Sequence, residues 1–500
     1  MTDFGALVTF MEFMATLFII VVGLVVVGVI VLYVMDVTQT KHAVRRNFPV
    51  VGRLRYFFED VGEFFRQYFF AHDREEMPFN RAERSYVYRA AKRVDTTLAF
   101  GSTRDLRPVG QTMFVNSAYS LLDEEAEPIS LMTIGPYARE PYITRSIFNI
   151  SGMSFGAISR PATLALSNGA RMAGVWLNTG EGGVSPYHLE GGADLVFQIG
   201  TAKYGACDED GNLSDERLRG IAAHEQVKMF EIKLSQGAKP GKGGILPGAK
   251  VTPVIAAIRG IRVGQDSLSP NRHRDISNSS ELLDAVAHIR EVTGKPVGFK
   301  AVVSTFSWLD GLFMEITRRG IESAPDFITL DSGDGGTGAS PQSLMDYVGI
   351  PIKESLPVIV DKLIEHGLRE RIKVVASGKL ITPGDVAWAI CAGADFVVSA
   401  RGFMFSLGCI QALKCNKNTC PTGITTHDPR LQKGLVVEEK DARVAAYARQ
   451  IVQEVETIAH SVGVTEPRRM RRSHVRIVQA DGASVPMDRL YPGYKELAAS

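Results

Sequence analysis

Apolar residues run without a charge from residue 13 to residue 35, FMATLFIIVVGLVVVGVIVLYVM. At about 1.5 Å per residue, a helix of this length crosses a hydrocarbon core of about 30 Å. Asp3 and Glu12 precede the run and no Lys or Arg does, unlike the basic start of a cleaved signal peptide. The alternative is a buried core helix, yet core helices seldom stay uncharged on every side for so long. Lys41, Arg45, Arg46, Arg53 and Arg55 follow the span. The positive-inside rule then predicts a single-pass membrane protein with its body in the cytoplasm. Next comes a stretch dense in aromatics: Tyr56, Phe57, Phe58, Phe64, Phe65, Tyr68, Phe69 and Phe70, interleaved with charge. This pattern predicts an amphipathic helix, either on the membrane surface or packed on the body. Residues 80–145 carry no clear motif and are expected to cover one end of the main domain.

From residue 146 the periodicity changes. Short apolar runs at 147–151, 175–178, 229–234, 296–302, 327–330, 373–376 and 396–399 alternate with helix-like segments such as 160–172, 279–292 and 352–366. Alternating strand and helix implies a parallel sheet. Seven or eight such units over about 300 residues predict an α/β protein with a (β/α)8 TIM barrel. The rival is an open doubly wound sheet, but no Gly-x-Gly-x-x-Gly turn follows an early strand. The expected organisation is a transmembrane anchor at 1–36, an amphipathic and lead-in region at 37–145, the barrel at 146–465 and a C-terminal tail at 466–500.

Charge and composition narrow the function classes. Lys plus Arg number 56 and Asp plus Glu 55, so no basic footprint for nucleic acid exists. The 48 glycines fall largely in short clusters, which suggests tight turns around a bound group. In a barrel, chemistry gathers where strands end. Here those ends carry Ser151-Gly152-Met153-Ser154, then Asn178-Thr179-Gly180-Glu181, then Lys233 and a run through Lys239, then Lys300. Three later ends carry Gly335-Gly336-Thr337, Ser377-Gly378 and Gly402. Glycine turns let backbone N–H groups converge on an anion, and phosphate sites in barrels often lie near the last two strands. These loops are therefore expected to hold a cofactor phosphate; for any one of them a plain tight turn is the alternative. Lys300 lies within a strand, where buried lysines are rare unless paired. Facing the barrel mouth, it would donate to the N1–O2 edge of a flavin.

Five cysteines, an odd number, make a poor disulfide framework, and Cys409, Cys415 and Cys420 crowd together with Pro421 after the last. Three thiolates at these spacings suit a cluster with three ligated irons. Zinc with His427 and plain structural cysteines are the alternatives. Cys207 and Cys391 are not expected to be ligands.

Together these residues resemble the FMN-binding synthase domain of the glutamate synthase family over about 145–465. The likeness rests on SGMSFGAIS, NTGEGG, EIKLSQGAKPGKGG, LPGAKVT, SPNRHRDI, DSGDGGTGASP and GCIQALKCNKNTCPTGITTHDP. The N-terminal span is similar to that of membrane-associated, single-domain relatives. The resemblance implies a barrel, FMN and a 3Fe-4S cluster on Cys409, Cys415 and Cys420. It implies that Glu181 and Lys239 line the substrate–flavin site and that Lys233 and Arg259 lie near the carboxylates of a keto acid. Ser151, Met153, Ser154, Lys300, Gly335, Gly336, Thr337, Ser377, Gly378 and Gly402 are the expected cofactor contacts. The implied reaction reduces the imine of 2-oxoglutarate and ammonia to glutamate. Two features depart from the family pattern. Ile245 stands where a glutamine contacts the keto acid, and no cysteine precedes Cys207 to serve a glutaminase domain. Nitrogen is then expected from free ammonia, an amine or another polypeptide, and electrons from a ferredoxin, a reductase subunit or a membrane carrier. The alternatives are a flavin oxidoreductase for another keto acid or amine, and a membrane-bound electron-transfer subunit.

Overall fold

Short runs rich in Val, Ile, Phe and Leu, buried on both faces, are what a parallel sheet under helices requires. A computed structural model describes residues 2–303 and 305–492. In it eight parallel strands close into a barrel: β1 (Phe148–Ile150), β2 (Leu177–Asn178), β3 (Leu195–Ile199), β4 (Val227–Lys233), β5 (Val297–Val302), β6 (Phe327–Asp331), β7 (Lys373–Ser377) and β8 (Phe396–Ser399). Each pairs with its neighbours in chain order, and β8 returns to β1. Seven match the apolar runs of the sequence. The eighth, β3, is the segment LVFQI that the sequence reading passed over.

Four helices begin where the sequence supplies a cap. Ser159, Ser185, Thr252 and Thr382 each accept a hydrogen bond from a backbone N–H of the first turn, with proline in that turn. These caps end the strand-to-helix loops. Arg160–Ala173, Ser279–Thr293 and Ile352–Glu365 match the expected helices to within a residue or so.

Inward side chains alternate along each strand and stack in layers. The floor is apolar: Trp176, Val196, Met229, Phe327, Val375, Phe396 and Val398. Ile134 and Tyr142, from a hairpin of Met132–Ile134 and Tyr142–Thr144, join the same cluster. Behind the floor, Asp326 is fully buried and accepts from Val297 N at 2.8 Å and Arg290 Nε at 3.0 Å, with Arg371 Nη2 at 2.9 Å. Asp326→Ala would strand two guanidiniums. It is expected to lower unfolding free energy by about 3–5 kcal/mol in a denaturant titration.

Of the segment expected as a C-terminal tail, residues 493–500 lie outside the described residues. The rest is built into the body. Val475–Val478 pairs with Thr112–Phe114, and Arg472 is fully buried, donating to Pro357 O and Ala392 O.

The chain divides into two compact units, residues 1–82 and 83–500. In the first, the helix Thr2–Thr38 contains the apolar span, and its large apolar side chains are exposed. Asp36, at its end, is buried; it accepts hydrogen bonds from Val50 N and Arg53 Nε, both at 2.9 Å. The helix Gly52–Phe65 and the turn Arg66–Phe70 follow. Leu54, Phe57, Phe58, Phe64, Phe65, Tyr68 and Phe69 recur at helical spacing, and all are exposed.

Candidate active site at the open end of the barrel

Above the apolar floor lies a polar layer. Glu231 is 2% exposed; its Oε1 accepts from Asn178 Nδ2 at 2.9 Å and Gln198 Nε2 at 2.6 Å. Its Oε2 accepts from Thr329 Oγ1. Three neutral donors from three strands thus satisfy one buried carboxylate.

One step further out, Lys300 Nζ stands 3.1 Å from Asp331 Oδ2. Asp331 also accepts from Gly237 N at 3.0 Å and Ser332 N at 3.1 Å. Burial opposes both charges. Even so, Lys300 and the two N–H groups hold Asp331 below the usual carboxylate range. Asp331 and then Glu231 hold Lys300 above the ordinary lysine value. Lys300 therefore stays protonated, and with Glu231, Asn178 and Ser151 it lines a cavity at the barrel centre.

The mouth is ringed by charge. Glu181 Oε1 lies 3.1 Å from Lys233 Nζ. Burial raises the Glu181 pKa, but Lys233, Lys239 and Arg259 together bring it below the ordinary value. Arg259 is buried and lies over the Tyr204 ring. Its Nη1 donates to Ser267 Oγ at 3.1 Å and its Nη2 to Phe155 O at 3.4 Å, while its Nε has no protein partner. Lys239 Nζ donates to Ala339 O at 3.0 Å. Three cations thus face the carboxylate of Glu181. Glycines make the close packing possible: a Cβ on Gly244 would meet Glu181 Oε1 at 2.2 Å, and one on Gly200 would meet its Cβ at 2.5 Å.

Lys239 carries a pH prediction. Burial, then repulsion from Lys233, pushes its pKa down to about 8. Its ammonium form is the one that holds an anion, and this form is lost as pH rises through that value. The kcat/KM for a carboxylate substrate is expected to fall above about pH 8, because this parameter reports the free enzyme. A Lys239→Arg protein should lack that limb; an unchanged profile would mean Lys239 does not hold the substrate.

The loops after β6, β7 and β8 meet in one patch. Ser332 Oγ donates to Ser377 O at 3.4 Å, and Arg401 Nη2 donates to Asp334 O. At Gly336 a Cβ would press on Arg401 Nε at 2.8 Å; at Gly378, with φ +133°, on Ser332 Oγ at 2.2 Å; at Gly402, on Tyr447 Oη at 2.3 Å. These glycines let the loops pack on one another, and the charge Arg401 brings suits a phosphate. Arg401 escaped assignment in the sequence, as did Glu231, Asp331, Asn178 and Gln198. For Glu231 the signal was its place two residues before Lys233, on the same inward face of β4.

The helix Arg401–Ser406 leads into the cysteine loop. Gln411, Leu413 and Asn418 all have positive φ, so the loop folds back repeatedly. Tyr88 Oη donates to Cys409 O at 2.6 Å, Gln411 N to Cys409 Sγ at 3.5 Å, and Cys420 Sγ lies 3.3 Å from Thr422 Oγ1. The three thiols are free, and Cys415 and Cys420 both act electrostatically on Cys409. His427 Nε2 is instead 2.8 Å from Gly156 O. Among the described residues no three His, Cys, Asp or Glu side chains converge on a single ion. Cys391 is 1% exposed, in the core.

The chain is similar to several known proteins. The conserved region of glutamate synthase matches residues 106–465. The glutamate synthase large subunit-like protein YerD of Bacillus subtilis is 39% identical, over 94% of this chain and 97% of that protein. An archaeal-type glutamate synthase (NADPH) of Thermotoga maritima is 36% identical over 64% of this chain and 60% of its own length. A mandelate oxidase solved with (S)-4-hydroxymandelic acid aligns over 79% of the chain at 14% identity and a TM-score of 0.47.

Proposed function

The chain belongs to the glutamate synthase family, and from that premise we propose that it is an oxidoreductase reducing the imine of 2-oxoglutarate and ammonia to glutamate, with FMN and a 3Fe-4S cluster as its cofactors. The observation that carries this reading is the charge of the mouth: Lys233, Lys239 and Arg259 surround the carboxylate of Glu181, and this excess of positive charge suits an anionic substrate such as a dicarboxylate.

The roles follow from position. Lys239 and Arg259 hold carboxylates through charge-assisted hydrogen bonds. Lys233 orients Glu181, and Glu181 moves a proton to or from the substrate nitrogen. Lys300, kept charged by Asp331, would donate to the N1–O2 edge of the flavin, with Ser151, Met153 and Ser154 beside it. Gly335, Gly336, Thr337, Ser377, Gly378 and Gly402 would hold the phosphate, with Arg401 as counter-charge. When bound, FMN supplies hydride to the carbon–nitrogen double bond, and the cluster on Cys409, Cys415 and Cys420 supplies single electrons. The chain's electrons come from a ferredoxin, a reductase subunit or a membrane carrier.

Ile245 favours a second reading. It pairs with Leu268 in a short hairpin and brings no hydrogen-bonding group to the substrate. A different keto acid or amine then replaces 2-oxoglutarate. The test is an anaerobic panel: photoreduced enzyme is mixed with each keto acid plus ammonium, and flavin reoxidation is timed. 2-Oxoglutarate should be the fastest oxidant. A monocarboxylic keto acid reacting faster would select the second reading.

The helix Thr2–Thr38 serves as a single-pass anchor with the barrel in the cytoplasm, and the exposed aromatics of Gly52–Phe65 and Arg66–Phe70 rest in the bilayer interface. A chain beginning at residue 72 is expected to stay soluble, folded and able to bind FMN. Aggregation with loss of flavin would assign the aromatic stretch to the core.

A further inference from the structure

A buried cation also stands beside the cysteine loop. Lys250 ends the short turn Gly248–Lys250 and is 2% exposed. Its Nζ donates to Ala157 O at 2.6 Å and to Cys415 O at 3.3 Å. Among the described residues no Asp or Glu pairs with it; the groups that weigh on its charge are Cys415, Cys420 and a second cation, Arg259. His427, also near, is held neutral by burial, and its Nε2–H donates to Gly156 O. Burying an ammonium without a counter-charge is costly, and two carbonyl dipoles replace only part of its hydration. The arrangement is incomplete as it stands. The thiols of Cys415 and Cys420 beside this cation supply the missing negative charge once they are thiolates on a metal centre.

We propose that Lys250 is the counter-cation of the anionic centre held by Cys409, Cys415 and Cys420. This rests on reading those cysteines as the ligands of an iron–sulfur cluster. Lys250 makes no bond in the reaction and is a positioning residue. It favours the cluster state with one more electron, because that state carries one more negative charge. Through Ala157 O the same ammonium ties the cysteine loop to the loop after β1, which carries Ser151, Met153 and Ser154. A lysine is suited to both tasks, since its flexible stem reaches two loops while its charge stays compact.

The experiment compares full-length wild type, Lys250→Met and Lys250→Arg in detergent, with iron content and an EPR-monitored redox titration as readouts. Methionine keeps the length and removes the charge. At the wild-type cluster midpoint, the reduced-to-oxidised ratio of Lys250→Met is expected to fall about tenfold, a unit charge at this range in a partly screened interior. That ratio corresponds to a midpoint lower by about 59 mV for one electron. Lys250→Arg should titrate close to wild type, and the flavin midpoint should move less than the cluster's in both. Iron lost from the methionine protein but kept in the arginine protein would equally support a charge role. A methionine protein that keeps its iron and titrates like wild type would overturn the proposal while leaving the cluster reading intact. Iron lost from both variants would reduce Lys250 to a strut of defined shape and overturn the counter-cation role. Wild type that carries no iron after anaerobic reconstitution would overturn the cluster reading and the proposal with it.

Discussion

A Lys300→Met protein is expected to lose its flavin and, independently, about 3–5 kcal/mol of stability, the typical cost of leaving one member of a buried ion pair alone. The stranded partner is Asp331, 4% exposed, left with only the N–H groups of Gly237 and Ser332. Denaturant unfolding and bound-flavin absorbance separate the two losses. The double variant Lys300→Met with Asp331→Asn removes both charges and should recover most of the stability. If Lys300 faces the ring, the double variant still binds FMN poorly. Full recovery of flavin in the double variant would assign Lys300 to the fold alone.

Cys415→Ser should bring iron per chain to background while most of the flavin remains. The physical reason is separation of parts: the cysteine loop follows the helix Arg401–Ser406, whereas the phosphate patch is built from the loops after β6 and β7 and the start of that same helix. Flavin in this variant should still accept electrons from a photochemical donor but no longer from a one-electron protein donor. Iron retained at wild-type stoichiometry would rule out Cys415 as a ligand. Loss of flavin and iron together would mean that the cysteine loop shapes the flavin site as well.

Much of this architecture was legible in the sequence because its elements obey local rules. Four helices start at the caps Ser159, Ser185, Thr252 and Thr382 with proline in the first turn, and four stop at Gly174, Gly260, Gly294 and Gly393, each in a left-handed conformation. β3 was missed because LVFQI is short, interrupted by Gln198, and buried on both faces, so it shows neither alternation nor length. Gln198 is polar for a reason that appears only in three dimensions, since it donates to Glu231 from the neighbouring strand. The same holds for Asp331, which read as one acid in a glycine-rich turn. Its pairing with Lys300 depends on the register of β5 against β6, and no spacing along the chain encodes that. Glu181 and Lys239 come from loops, Lys233 from the end of β4 and Arg259 from the helix Pro253–Arg259, yet they gather into one shell. Their motifs made them visible; the excess of positive charge around Glu181 did not appear until they were brought together.

The most direct test of the central claim is a single anaerobic turnover. Enzyme reduced stoichiometrically at its flavin is mixed with 2-oxoglutarate and ammonium at pH 7.5, below the value near 8 at which Lys239 loses its proton. The flavin spectrum is followed and the amino acid formed is counted. The account predicts reoxidation of the flavin with one glutamate formed per flavin, and none when ammonium or the keto acid is omitted. Flavin that stays reduced through the same mixing, in protein that retains its FMN and iron, would contradict it.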